Sequence, residues 1–486
     1  MARHDELHAS DVRPASRVAR WDQEADVVVV GLGCAGACAA LAARDAGADV
    51  LVLERAAAGG GTSALSGGLL YLGGGTPVQK ACGFDDTPEE MQRFLVAACG
   101  PGVDEAKVRV YCEQSVEHFH WLVRQGVPFK ESFWPQPSME PPGDDCLVYS
   151  GGEDAFPFDR IARPAPRAHK PRHPAAAGGF LMQRLLAAVG RSGAHVVADA
   201  RCETLVVEAD GRVVGLVVRK SGAEWLVGAR HGVVLTAGGF ANDAAMLARH
   251  APLLSRCSWK LAVEGDDGRA IRMAMGAGAD IARMEAGEVA LPIAFPNRFG
   301  GGILVNRFGQ RYVNEDTYAG RIGQETLLRQ DGEAWFVADE PIYERDFAGI
   351  PATHVEESIA DLERGMGLPE GALATTVEFY NRHAARGEDP LLHKKASFLT
   401  PLSRAPFAAI DCRPGSLQWA TFTLGGLRTA ATGEVLDPDG EPIPGLWAAG
   451  RTTLGIAAAG YVSGISLGDA SFFGRRAGRG AATSRS

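Results

Sequence analysis

The chain has 486 residues, 46% of them hydrophobic and 22% charged, with a formal net charge of −10. That length accommodates about two or three domains with sizeable cores, and the acidic balance excludes a general nucleic-acid or anionic-membrane surface. Sixty-one glycines occur, in clusters, a pattern that suits close backbone approach to a ligand. The polar opening segment, residues 1–24, reads as a loose arm or surface strap without the apolar core of a secretory signal. No apolar run nears the ~18 residues of a membrane span. Nine cysteines lack any C-x-x-C pair, so reduced thiols and a cytoplasmic location are expected, with no disulfide framework and no metal site.

From Asp26 to Ala56, "DVVVVGLGCAGACAALAARDAGADVLVLERA" reads as strand, glycine turn, helix, strand and acid. Gly31 serves the tight turn, Gly33 lets the backbone approach a pyrophosphate, and Gly36 lets helix and strand pack closely. Cys34 and Ala35 open the helix, whose N-terminal N–H groups favour an anion. Glu54, about twenty residues on, suits a ribose of NAD or FAD, and Arg55 follows it. Next comes "AGGGTSALSGGLLYLGGG", which places Gly61, Thr62, Ser63, Ser66, Gly67 and Gly68 in one glycine-hydroxyl loop. NAD does not need that loop, and a longer dinucleotide does. Two helices are expected over "TPEEMQRFLVAA" and "EAKVRVYCEQSVEHFHWLVRQG", then proline-rich loops. His118, His120, His169 and His173 fit no ligand set and read as packing or surface residues.

From His195 the texture changes to short strands broken at "ADG", "KSG" and "RHG". "GVVLTAGGF" then returns as a buried strand ending in Ala237, Gly238 and Gly239. Residues 285–400 read as a separate α+β segment around "NEDTYAG" and a proline-started helix. The chain comes back with "FTLGGL" and the strand "LWAAG", which leads to Gly450 and Arg451. "AAAGYVSGISLGD" starts the last helix and carries Tyr461, Ser463, Gly464, Ser466, Leu467 and Asp469. In such a turn, Tyr and Ser also serve ordinary turn geometry. Ser466, Thr423 and Asp469 are expected to touch a flavin or cap that helix.

Taken together, the glycine fingerprint, "GGGTSALSGG", "VVLTAGGF", "GILVNRFGQRYVNED", "FTLGGL" and "IPGLWAAGRTT" resemble the flavoprotein family of fumarate reductases and 3-ketosteroid dehydrogenases. The resemblance implies an α/β fold, with a Rossmann-type FAD-binding domain in two segments (25–284 and 401–486) and an α+β capping, catalytic domain (285–400). It implies non-covalent FAD, because Thr62 and Ser63 lie where covalent relatives present a histidine. Fumarate reductases of the family have an arginine after "NExxT", a histidine before "TMGG", and a terminal histidine and arginine that grip a carboxylate. Here Ala319, Phe422 and "GIAAAGYVSGISLGD" stand at those places. A dicarboxylate would therefore be left desolvated and unpaired, so a neutral apolar substrate is expected.

Tyr461, Ser463 and Tyr318 resemble the hydroxyl set of the 3-ketosteroid Δ4-(5α)-dehydrogenase group, whereas Δ1-dehydrogenases end in a "YPGPG"-type segment that "YVSGI" does not match. The resemblance implies oxidation of a 5α-saturated 3-ketosteroid to the 4-ene-3-one, with a hydride from C5 passing to the flavin. Tyr461 would polarise the ketone, and Ser463 linked through Tyr318 to solvent would relay the C4 proton. The electron acceptor is left open. The alternatives are a Δ1-dehydrogenase, an enoyl reductase of the fumarate type with Arg321 as its nearest charged donor, and a non-enzymatic flavoprotein.

Overall fold

The computed structural model describes residues 11–136, 140–291, 300–343 and 350–484. Its largest sheet has the strand order Arg13–Pro14, Ala200–Val207, Val213–Lys220, Ala223–Leu235, Gln23–Val30, Val50–Leu53 and His195–Val197, with Pro442–Ala448 and Glu434–Leu436 attached beside Ala223–Leu235. Gln23–Val30 pairs parallel with both Val50–Leu53 and Ala223–Leu235. Its valines alternate between two hydrophobic cores: Val28 and Val30 face one, and Val27 and Val29 the other. A strand covered on both faces is the reason for its unbroken apolar run. The arm reaches this sheet: Arg13–Pro14 pairs with Val206–Val207.

Helix Cys34–Asp45 packs against the last helix, Ile465–Thr483. A Cβ at Gly474 would strike the Ala35 carbonyl oxygen, and one at Gly478 that of Ala39. The late glycines and the early alanines are therefore two sides of one close interface.

Two local readings are corrected. The expected single helix over residues 105–126 is two, Glu105–Glu113 and Ser115–Arg124, because the chain leaves helical geometry at Gln114. The break sets the Ser115 hydroxyl to accept the Gly73 N–H at 2.9 Å. "RHG" is not a turn. It lies inside one strand, Ala223–Leu235, and the pairing register shifts between Ala229 and Gly232. That irregularity lets the strand's first half pair antiparallel with Val213–Lys220 while its second half pairs parallel with Pro442–Ala448.

A four-stranded antiparallel sheet runs Ile303–Asn306, Ala334–Asp339, Phe407–Asp411 and His354–Glu356, so its third strand lies beyond residue 400. Beneath it, Arg311 donates to Glu315 at 3.0 and 2.7 Å and to Asp389 at 3.0 Å, with Lys394 3.4 Å from Glu315. All four side chains are buried and mutually paired, as burial of charge requires. Trp259–Lys260, Ala420–Thr423 and Gly287–Ala290 form a smaller sheet, whose last strand packs against helix Ala319–Gln324. No helix among the described residues is long and apolar enough to cross a membrane. All nine cysteines are free thiols.

Gly478→Val should lower the thermal midpoint clearly, because the new side chain meets backbone rather than a flexible neighbour. The expected cost is about 1–3 kcal/mol. An unchanged midpoint would show that the two helices can separate without loss.

Candidate active site

The glycine turn has the geometry expected of it. Gly31 has φ +95°, and a Cβ there would sit 2.7 Å from the Thr236 carbonyl oxygen. A Cβ at Gly36 would overlap the Gly31 carbonyl oxygen. Gly33 differs: a Cβ there would find nothing nearer than Ser63 Oγ at 3.7 Å. The turn is thus crowded on its protein side and open over Gly33, at the start of helix Cys34–Asp45. Cys34 N–H donates to Ser63 Oγ at 3.2 Å, and Leu467 and Ala35 are buried alongside. Glu54 accepts from Leu32 N–H and Ala56 N–H, each at 2.8 Å. It pins the turn while each oxygen keeps a lone pair for a further donor.

The hydroxyl loop is held by an acid that the sequence reading missed. Asp266, 2% exposed, accepts from Thr62 Oγ1, from Gly239 N–H at 2.7 Å and from the Arg451 guanidinium at 3.1 and 3.0 Å. Gly238 leaves the space its carboxylate fills. Asp266 thus joins Gly61–Leu65, Ala237–Gly239 and Gly450–Thr452. It comes from "VEGDDGR", which composition reads as an exposed turn. Ser66 closes the loop by donating to Ser63 O at 2.8 Å, and Gly67 and Gly68 follow. Arg55 is set apart, paired with Asp267 at 3.0 Å and Glu264 at 3.5 Å. Thr423 accepts from Phe240 N–H at 3.2 Å. Asp469 does not cap the last helix: Gly464 holds that position at φ +99°, and Asp469 accepts the Ile456 N–H from inside the helix at 2.9 Å.

Tyr318 and Tyr461 come together from opposite sides, with ring centroids 6.5 Å apart. The Phe422 ring meets Tyr461 edge-on at 5.2 Å. Tyr461 Oη accepts the Ser466 N–H at 3.2 Å. Burial pushes its phenol up to about 12, so it stays a donor at neutral pH. Burial and the neighbouring Glu288 hold the Tyr318 phenol well above its ordinary range, with Ser463 acting in the opposite direction, and the Ser463 carbonyl accepts from Ser150 Oγ at 2.8 Å. The Tyr318 hydroxyl donates to Glu288 Oε1 at 2.7 Å, a partner absent from the sequence reading, which sent this relay to solvent. Arg321, the reductase alternative's charged donor, gives its guanidinium to the Phe156 carbonyl at 3.1 Å and stacks over Phe158. The cation beside Phe422, Arg451, is neutralised by Asp266. No cluster of His, Cys, Asp or Glu among the described residues could hold a metal ion.

The sequence matches the FAD binding domain family over residues 26–467. The chain belongs to that family. FAD is its cofactor, and the open face at Gly33, above a helix start and beside a hydroxyl loop, fits a dinucleotide pyrophosphate. A solved structure of 3-ketosteroid-delta4-(5alpha)-dehydrogenase from Rhodococcus jostii RHA1, in complex with 4-androstene-3,17-dione, is 52% identical, with a TM-score of 0.94 over 97% of this chain and 100% of that one. The 3-oxo-5-alpha-steroid 4-dehydrogenase of Comamonas testosteroni is 28% identical over 91% of this chain and 97% of its own length. Probable fumarate reductase Ifc3 of Shewanella frigidimarina is also 28% identical, over 98% of this chain and 82% of its own.

Asp266→Ala leaves Arg451 half-enclosed without its counter-charge and frees three donors. Loss of flavin on gel filtration and a fall in stability of about 3–5 kcal/mol are expected. Full flavin occupancy with an unchanged midpoint would show that Asp266 does not hold the three segments.

Proposed function

We propose that the protein dehydrogenates a neutral 5α-saturated 3-ketosteroid to the 4-ene-3-one. The observation that carries this reading is the character of the pocket around Phe422: three hydroxyl side chains converge there, and the Arg451 guanidinium over its ring is already paired with Asp266. A ketone needs a donor at its oxygen and an acceptor for its α proton. A dicarboxylate needs unpaired cations. The 52% identity to a protein solved with 4-androstene-3,17-dione supports the same substrate class.

Tyr461 serves as donor to the ketone oxygen, where enolate charge develops. Ser463 takes the C4 proton and passes its own to Tyr318. Gly31, Gly33, Cys34, Ser63, Thr62 and Glu54 hold the dinucleotide, with Gly239, Gly450 and Arg451 set on the other side of Asp266. FAD, when bound, supplies the acceptor for the hydride from C5. The unit 285–400, continued by Phe407–Asp411, acts as a cap that carries Tyr318 and Glu288 to the flavin domain formed by 25–284 and 401–486, with 1–24 as its strap. Nine free thiols support a reducing, cytoplasmic setting.

FAD binding is non-covalent in this reading, since Thr62 and Ser63 are hydrogen-bonded to Asp266 and to the Cys34 N–H and carry no nucleophilic ring nitrogen. Acid precipitation should leave a colourless pellet and a yellow supernatant; colour retained in the pellet would reject it.

Incubation with 5α-androstane-3,17-dione and an artificial electron acceptor should give the 4-ene-3-one, identified by mass spectrometry and NMR, and fumarate should not be reduced. Tyr461→Phe should lower the rate by about a hundredfold or more with FAD retained. A 1-ene product would move the double bond to C1–C2, and fumarate turnover would overturn the reading.

A further inference from the structure

Glu288 belongs to the short strand Gly287–Ala290 and lies opposite Phe422 in the pairing with Ala420–Thr423. It is 2% exposed. Its Oε1 accepts from Tyr318, and its Oε2 is buried with no hydrogen-bond partner. Among the described residues no cation forms an ion pair with it. The helix packed above it, Ala319–Gln324, directs its Arg321 to the Phe156 carbonyl and its Gln324 to the Gly287 carbonyl. The strand beside it contributes Phe422 and Thr421, whose hydroxyl donates to the Glu288 backbone carbonyl at 2.6 Å. From the segment before the last helix, Tyr461 faces it. By contrast, the buried acids Glu315, Asp389, Asp86 and Asp266 are each paired with a cation. A buried carboxyl whose one side-chain partner is a phenol, with no cation, is costly to keep.

The local backbone is shaped to admit it. A Cβ at Gly320 would strike Glu288 Oε1, and one at Gly323 would strike the Val289 carbonyl oxygen. Two glycines three apart let the helix lie directly on the strand, which brings its N-cap residue, Tyr318, onto the carboxylate.

We propose that Glu288 is the proton acceptor at the end of the Ser463–Tyr318 path, a positioning residue that acts through Tyr318 without touching substrate. The inference rests on the reaction proposed above. The C4–H bond breaks, and its electron pair stays with the substrate as the enolate held by Tyr461. The proton joins Ser463 Oγ, the Ser463 hydroxyl proton joins Tyr318 Oη, and the Tyr318 proton joins Glu288. One carboxylate becomes one carboxylic acid, and both tyrosine and serine end in their starting form. The electrons of the dehydrogenation leave separately, with the C5 hydride that FAD accepts. Phenol and serine are already protonated at neutral pH and offer no site that keeps a further proton, and the carboxylate supplies one.

Burial raises the Glu288 carboxyl to about 8, against the Tyr318 hydrogen bond and the Val289 amide, which hold it down. The base is the ionised form, so the rate rises with pH through about 8 and levels above it. The same shift has a signature in stability. An unfolded glutamate ionises near 4.5, so between there and about 8 the unfolded chain binds fewer protons at this residue, and its contribution to stability falls as pH rises.

The experiment compares wild-type holoenzyme with Glu288→Gln and Glu288→Asp. Glu288→Gln keeps an acceptor for the Tyr318 hydroxyl and cannot take a proton. It should retain FAD and a native visible spectrum, lose about a hundredfold or more in turnover, and lose the rising limb of the pH profile. Exchange of the C4 hydrogens with deuterated water, read by mass spectrometry, should slow by a similar factor, and Glu288→Asp should recover part of both. The thermal midpoint of Glu288→Gln should gain on wild type as pH rises from 5 to 9. Wild-type activity and pH limb preserved in Glu288→Gln would overturn the proposal and leave Glu288 as packing. A wild type inert toward the steroid, with the midpoint difference still changing across that pH range, would instead overturn the proposed reaction and keep the titrating carboxyl.

Discussion

The close approach of helix Ala319–Gln324 to strand Gly287–Ala290 sets the chemistry of the site. Any side chain at Gly320 would occupy the place of the Glu288 carboxylate, and any at Gly323 would push the helix off the strand. With both absent, Tyr318 donates to Glu288 at 2.7 Å and lies 6.5 Å from Tyr461. The paired charges of Arg311, Glu315, Asp389 and Lys394 anchor the "NED" loop just before Tyr318. They work as a scaffold: Glu315 also accepts the Leu304 N–H at 3.0 Å, tying the loop to the first strand of its sheet.

A second constraint joins that unit's neighbours to the dinucleotide cradle. Asp266 collects Thr62, Gly239 and Arg451, one from each glycine segment, so three stretches far apart in sequence share one carboxylate. Because Arg451 is paired there, the cation beside Phe422 has its charge already matched by an acid. The preference for a neutral ketone and the integrity of the flavin cradle therefore depend on the same ion pair.

The strand–turn–helix–strand unit was legible in sequence because its signals are local: the valine run, the glycine spacing and Glu54 all lie within one short stretch. Tyr461, Ser463 and Tyr318 were singled out through resemblance and the loss of charged residues at matching places, and the structure brings the two tyrosine rings to 6.5 Å. Glu288 and Asp266 were not legible. Each stands alone among residues typical of a strand or an exposed turn, and its role arises from partners some 30 residues away in one case and about 200 in the other. The break at Gln114 and the irregularity in Ala223–Leu235 were missed for a related reason. In both places pairing with a distant segment, Gly73 or Pro442–Ala448, overrides a local pattern that reads as one helix or as a turn.

In the proposed reaction this site takes electrons from a neutral ketone and holds its proton without a cation. Anaerobic stopped-flow mixing of the holoenzyme with a 5α-saturated 3-ketosteroid tests it most directly, by following the visible absorbance of the bound flavin. Rapid bleaching is expected, slowed when the steroid carries deuterium at C5, and succinate, the saturated dicarboxylate, should leave the spectrum unchanged. Bleaching by succinate, or an unchanged spectrum with the steroid, would contradict it.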